Sequence, residues 1–209
     1  MSSDSSILQP LVDLLKSASA AAAYEAIGKC GDLDPAIAAL VPDVLCVGPA
    51  FTVRAHPHYS AGVSAALDQA PAGSVVVIDV GGDPDTCVLG GTGALVALRR
   101  QLAGYVTNGR IRDLAALRAQ RFPVFARGAT VRSSRKEGPA DFQVPVAVGG
   151  QVIRPGDLVC ADDDGVVVVA QERFGTLAER LAARLAFEQR ADASVQAGVS
   201  YAEATSRRP

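Results

Sequence analysis

Apolar positions along this chain switch between helical and strand-like spacing. From Ile7 to Lys16 they fall at Ile7, Leu8, Leu11, Leu14 and Leu15, a helical stripe, and the Ala-rich run from Ala18 to Ile27 predicts a second helix closed by Gly28. Leu33-Asp34-Pro35 reads as a loop before a short helix through Leu40, stopped by Val41-Pro42. Val44 to Arg54 has strand character, with Gly48-Pro49 as a bend, and Ala61 to Ala70 is helical again.

The stretch from Gly73 to Asp113 organises the rest. Val75-Val76-Val77-Ile78 is uniformly apolar and ends in Asp79-Val80-Gly81-Gly82, the pattern of a strand buried on both faces and followed by a turn. Gly90-Gly91-Thr92-Gly93 then leads into a helix from Ala94 to Leu102. Gly104 to Thr107 predicts a strand, Leu114 to Gln120 a helix and Pro123 to Ala126 another strand. Strand, helix, strand, helix, strand argues for a parallel sheet with right-handed crossovers. Arg127 to Asp141 is polar, and its basic cluster of Arg127, Arg132, Arg135 and Lys136 reads as a solvated loop. From Val144 to Val169 short β-branched runs alternate with Gly149-Gly150, Pro155-Gly156 and Asp164-Gly165, which is hairpin punctuation. Glu172 to Gln196 predicts a long amphipathic helix with Leu177, Leu181 and Leu185 on one stripe, and the tail beyond Gly198 is expected to be loose. The fold class is therefore α/β in a single domain: N-terminal helices over 1–44, an α/β core over 45–170 and a C-terminal helix over 171–198 of the 209 residues.

Composition narrows the function. The formal net charge is −2 with scattered positive residues, which argues against a nucleic-acid surface. Cys30, Cys46, Cys87 and Cys160 lie far apart, so they read as buried thiols in a reducing compartment. No apolar run is long enough to span a bilayer, and Met1-Ser2-Ser3-Asp4 lacks a basic leader, so the expectation is a cytoplasmic protein with no membrane partner.

Four places carry candidate chemistry. Arg112-Asp113 pairs a permanent guanidinium, suited to carboxylates, with a carboxylate suited to a hard divalent cation. Such a pair can polarise a 2-oxo acid and stabilise its enolate; it is equally the pattern of a helix start with an acidic residue in its first turn. Gly90, Gly91, Thr92 and Gly93 could seat a carboxylate on backbone amides, or form a tight turn only. His56 and His58 would share a side if the segment is extended, and could act as acid or base or be simply solvated. Asp162-Asp163-Asp164-Gly165 lacks the spacing of a calcium loop and reads as a charged turn.

The motifs Gly48-Pro49-Ala50-Phe51-Thr52-Val53, Val76-Val77-Ile78-Asp79, Asn108-Gly109-Arg110-Ile111-Arg112-Asp113, Phe122 to Gly128, Pro155-Gly156-Asp157 and Ala161 to Val166, in this order, resemble the family of regulator of ribonuclease activity A and the 4-hydroxy-4-methyl-2-oxoglutarate aldolases. The resemblance implies an α/β fold of the swivelling β/β/α type and a homotrimer or hexamer with sites between subunits. It implies that Arg112 and Asp113 bind a pyruvyl group and Mg2+ or Mn2+, with Glu188 approaching a neighbouring subunit's ion. It also places an acidic residue where this chain has Gly91, a Gly-Asp-Asn where it has His58-Tyr59-Ser60, and an aspartate at Ala22. The expectation is a divalent-metal-dependent carbon–carbon lyase on a small 2-oxo acid, acting by aldol cleavage or oxaloacetate-type decarboxylation, with His56, His58 or Tyr59 supplying the missing acid–base function. The alternatives are a catalytically silent binding protein and a biosynthetic enzyme that reuses the pocket.

Overall fold

The computed structural model describes residues 5–82 and 85–206. Met1-Ser2-Ser3-Asp4, read above as lacking a leader, and the end of the tail lie outside the described residues, as do the side chains of Ser5 to Ile7.

Four parallel strands form the centre: β2 (Cys46–Ala55), β3 (Val75–Asp79), β5 (Gly104–Thr107) and β7 (Val124–Ala126), paired in that order. The crossovers carry α3 (Ala61–Gln69), α4 (Gly91–Arg99) and α5 (Leu114–Gln120). Successive strands add on one side, so the three helices share one face of the sheet. β2 is long because it serves two partnerships. Beyond the Gly48-Pro49 bend it runs with β3, while its first half pairs antiparallel with β11 (Leu158–Asp162), which pairs in turn with β12 (Gly165–Val169). At the far edge β1 (Ala38–Ala39) pairs with β7. Just before β1, Leu33 donates its amide to Val166 of β12 at 2.9 Å and Gly31 accepts from Val168 at 2.8 Å, so the sheet nearly closes on itself.

That curvature explains the uniformly apolar β3. Val75 and Val77 face the interior of the curved sheet, with Val106, Phe125, Val159 and Val168, and the hairpin of β9 (Val146–Val148) and β10 (Gln151–Ile153) fills this interior with Val146, Val148 and Ile153. Val76 and Ile78 face the other way, under Leu67 of α3, Ala97 of α4 and Leu117 of α5. A third apolar cluster joins α1 (Ser5–Lys16), α2 (Ala20–Ala26) and α6 (Phe174–Gln196) to the outside of β11 and β12, with Leu177 and Leu181 fully buried. Ala22, at the position of the family's aspartate, is buried in this cluster.

Several expectations need correction. The short helix through Leu40 is a turn followed by β1: the Asp34 carboxylate takes the Ala36 amide at 2.9 Å and its carbonyl takes that of Ile37 at 2.8 Å, after which the edge of β7 captures the chain. Segment 1–44 is thus not helical throughout. α4 begins at Gly91 rather than Ala94. The polar loop after Arg127 contributes β8 (Ala140–Phe142), which pairs with the end of β2. The tail beyond Gly198 winds into α7 (Tyr201–Ala204), where Ser200 caps the Glu203 amide. Two short strands have no counterpart in the sequence pattern, β4 (Cys87–Leu89) and β6 (Arg110–Ile111). They form a small parallel pair past the carboxyl ends of β3 and β5.

Candidate functional site

This small pair of strands builds the site. β4 delivers Gly90 to the start of α4, and β6 delivers Arg112 and Asp113 beside it, locked by the Arg112 amide donating to the Leu89 carbonyl at 2.9 Å. Asp113 occupies the N-cap position of α5, yet its backbone is left-handed at φ 63° and its carboxylate makes no cap there. It turns to the neighbouring helix, where Oδ2 accepts the Gly91 amide of α4 at 3.0 Å. The helix N-terminus stabilises that negative charge. Arg112 Nε stands 3.6 Å from the same oxygen, and Nη1 donates to Ser133 Oγ at 2.6 Å. Both side chains remain about half exposed, at 43% and 48%. A side chain at position 90 would push this pair aside: a Cβ there would stand 2.6 Å from Asp113 Oδ2 and 3.1 Å from Arg112 Cγ.

Arg112, Asp113, Gly90, Thr92 and Gly93 line one open cavity of about 320 Å³. Ser60, Ser64 and Asp68 from α3 and the turn before it form its opposite wall, Lys136 approaches from the polar loop, and Val63, Leu67, Val88, Leu89 and Val96 supply an apolar side. Ser60 ends the His58-Tyr59-Ser60 departure seen in the sequence, whereas nothing in the sequence singles out Ser64 or Asp68. The apolar spacing of 61–70 marks a helix but not which polar face borders α4. Lys136 was visible only as one of four basic residues. Two of the others are engaged elsewhere: Arg132 pairs with Asp85, and Arg127 Nη2 holds Asp34 at 2.7 Å. The Ala36 amide, and then Arg127, hold the Asp34 carboxyl below its ordinary value.

The other proposed residues lie apart from this cavity's lining. His56 and His58 do not share an extended face. Residues 56–59 turn, with the Tyr59 amide on the His56 carbonyl at 3.2 Å, and His58 is left-handed at φ 68°. His58 Nδ1 lies 3.3 Å from Asp85 Oδ1, a carboxylate 27 positions away in sequence, with both side chains more than half exposed. Tyr59 packs over Gly138, and its segment bridges to Arg135. Glu188 accepts from Arg184 Nε at 2.8 Å on α6 and lines a different cavity, with Glu25 and Asp192. The acidic turn is used structurally: Asp162 Oδ2 takes the Ala20 amide at 2.7 Å, and the Asp163 carboxylate takes that of Asp43.

Among the described residues no three His, Cys, Asp or Glu side chains converge as a metal cluster. The chemistry of Asp113 fits Mg2+ or Mn2+, because a half-exposed carboxylate is a hard oxygen donor and Mg2+ accepts one or two protein carboxylates with water and ligand oxygens. Gly91 leaves no second carboxylate beside it, and a side chain there would press on α5: a Cβ at position 91 would lie 2.9 Å from the Ala116 Cβ.

A family described as RraA-like (Aldolase/RraA) matches residues 17–168. The chain belongs to the RraA-like family. Among its curated relatives, a protein of Halalkalibacterium halodurans named putative 4-hydroxy-4-methyl-2-oxoglutarate aldolase is 42% identical over 123 residues, 59% of each chain. The first curated relatives are matched over less than two thirds of their own length. Two solved structures share the fold. An uncharacterized protein from Pseudomonas syringae pv. tomato superposes with a TM-score of 0.85 at 31% identity, covering 94% of this chain and 92% of that one. Streptomyces coelicolor RraAS2, described as an unusual member of the RNase ES inhibitor RraA protein family, gives 0.74 at 32% identity, covering 86% and 92%.

Proposed function

We propose that this RraA-like protein is a carbon–carbon lyase of the aldolase type, acting on a small 2-oxo acid and releasing pyruvate. The observation that carries the reading is the convergence of Arg112, Asp113 and the first turn of α4 on one open cavity. The Thr92 and Gly93 amides lie in that first turn, where helix geometry leaves N–H groups without intrahelical acceptors, and they seat the substrate carboxylate. Arg112, oriented by Ser133, binds the 2-oxo group and stabilises the enolate oxygen as the carbon–carbon bond breaks, the substrate's hydroxyl proton passing to water in the open cavity and the enolate carbon taking a proton back from it to give pyruvate. Asp113 is the residue that would hold Mg2+ or Mn2+, and such an ion, when bound, adds positive charge that polarises the oxo group. The apolar side of Val63, Leu67 and Val96 accommodates the departing portion. The family resemblance implies a trimer in which Glu188 of one copy approaches the Asp113 site of another.

Pyruvate release from 4-hydroxy-4-methyl-2-oxoglutarate and from oxaloacetate, with and without Mg2+, tests the reading. Activity should require the ion and fall at least a hundredfold in Asp113→Ala and Arg112→Lys. Mixed oligomers of Asp113→Ala and Glu188→Ala should recover part of it, because some sites then combine two intact halves. No metal-dependent release from either substrate would overturn the reading. One observation favours a second function, binding of a protein partner without turnover: Ala116 fills the place where a second carboxylate would stand. That reading gains if the protein retains an RNase in pull-down while releasing no pyruvate.

A further inference from the structure

The start of α4 is made of Gly90-Gly91-Thr92-Gly93, three glycines in four residues, and such a backbone loses more entropy on ordering than any other. Something outside α4 must hold it if its amides are to point in fixed directions. The holding comes from α5 and the residue that begins it. Asp113 at the N-cap position, and Ala116 and Gln120 four apart on one face of the helix, all meet the same glycine. Asp113 Oδ2 takes the Gly91 amide at 3.0 Å, and the Ala116 methyl closes the space where a Gly91 side chain would stand. Gln120, at the far end of α5, donates Nε2 to the Gly91 carbonyl at 3.3 Å. Its own Oε1 is buried and has no hydrogen-bond partner among the described residues.

The unpartnered oxygen matters. A buried amide oxygen left without a donor destabilises a fold, so stability alone favours an apolar side chain of the same length at this place. Only the nitrogen end of Gln120 makes a bond that an apolar residue would lose, and that bond falls on the peptide linking Gly91 to Thr92. The carbonyl of this peptide and the Thr92 N–H are parts of one rigid plane. A donor on the carbonyl fixes the direction of the N–H and polarises it, strengthening it as a donor.

We propose that Gln120 is a positioning residue, which acts through the Gly91–Thr92 peptide to aim the Thr92 amide at the ligand's carboxylate. Asp113 and Gln120 thus grip Gly91 from opposite sides, one on its N–H and one on its carbonyl, and α5 sets the geometry of a binding surface that belongs to α4. This role rests on the lyase reading for the identity of the ligand but not for the geometry of the peptide.

The test uses Gln120→Met, which keeps the length and removes the amide, and Gln120→Glu, which keeps the shape but donates only when protonated. Oxalate binding in the presence of Mg2+ is measured by titration calorimetry, thermal stability by melting, and the Thr92 amide by NMR in the ligand-free protein. Gln120→Met should bind oxalate about fivefold more weakly, the loss of one neutral hydrogen bond. It should melt no lower than wild type, and its Thr92 amide resonance should move upfield. Gln120→Glu should regain affinity as pH falls from about 7.5 to about 5.5, while Gln120→Met does not. A merely structural glutamine gives the reverse: lower melting with oxalate affinity intact. If wild type binds oxalate and Gln120→Met binds it equally well, or if the Thr92 resonance stays in place, Gln120 has no positioning role. If wild type binds no oxalate, the lyase reading falls, and the Thr92 resonance alone then decides whether Gln120 sets this peptide.

Discussion

Gly91→Asp restores the carboxylate that the family resemblance places at this position, and the structure sets the penalty. The new Cβ would stand 2.9 Å from the Ala116 Cβ, against an ordinary carbon–carbon contact of roughly 3.5–4.0 Å. α4 and α5 must therefore separate by more than half an ångström, roughly, within a packed layer, an overpacking cost of about 1–3 kcal/mol. Replacing glycine by a residue of lower backbone entropy, with an acid in the first turn of a helix, returns about 1 kcal/mol. Ala116→Gly alone costs about 1 kcal/mol in helix propensity and removes the obstructing methyl. The double variant Gly91→Asp/Ala116→Gly should then be more stable than the sum of the single changes by about 1–3 kcal/mol, read from a four-protein urea-denaturation cycle. Pyruvate release provides an independent readout. Position 91 Cβ is 3.8 Å from Asp113 Oδ2, so two carboxylates would share the site and one would hold its proton to higher pH, giving a group able to relay protons. The double variant should release pyruvate faster than wild type. Stability changes that add to within about 0.5 kcal/mol would show that Ala116 is not what closes position 91.

Other consequences concern the core. Tyr105 is fully buried on β5, its hydroxyl has no hydrogen-bond partner among the described residues, and burial pushes its ionisation well above the ordinary value. Tyr105→Phe should stabilise the protein by about 1 kcal/mol, a rise of roughly 2–4 °C in Tm; a lower Tm would contradict the unsatisfied hydroxyl. Burial, and then the charge of Asp162, push the Cys160 thiol up to about 12. Above the ordinary thiol value the unfolded chain loses this proton while the folded chain keeps it, so stability falls as pH rises. By about pH 10.5 the loss from Cys160 reaches about 2 kcal/mol, and Cys160→Ala should flatten the alkaline limb of the stability profile by that amount. Parallel profiles for the two proteins would refute the assignment.

Elements whose periodicity was strong were legible from the residues. The apolar run of Val75 to Ile78 marks a strand covered on both sides, and the leucine stripe of α6 marks its buried face. Segments whose conformation is decided by a distant partner were not. Ala36 to Leu40 has helix-forming residues, but an Asp34 turn and the open edge of β7 win over propensity. β4 and β6 are too short for a period to show, and each exists because the other lies alongside it. Closure of the sheet depends on Gly31 and Leu33 reaching β12, more than 130 positions later.

The site follows the same division, and it shows why motif and mechanism separate in this protein. Arg112 and Asp113 could be named from sequence because their chemistry is local: a guanidinium and a carboxylate are recognisable wherever they stand. What they do is set by partners that no spacing reveals. Asp113 looks like the cap of the helix it begins, yet it caps α4, because a left-handed backbone at residue 113 swings the carboxylate away from α5. Gly91 looks like a lost acid, but it is also the residue that fits without displacing Ala116. The space at position 91 is therefore set by a side chain 25 residues away, on a helix whose sequence carries no sign of catalysis. The carboxylate and the methyl compete for the same space, so the second acid is regained at lower cost when α5 gives way at position 116.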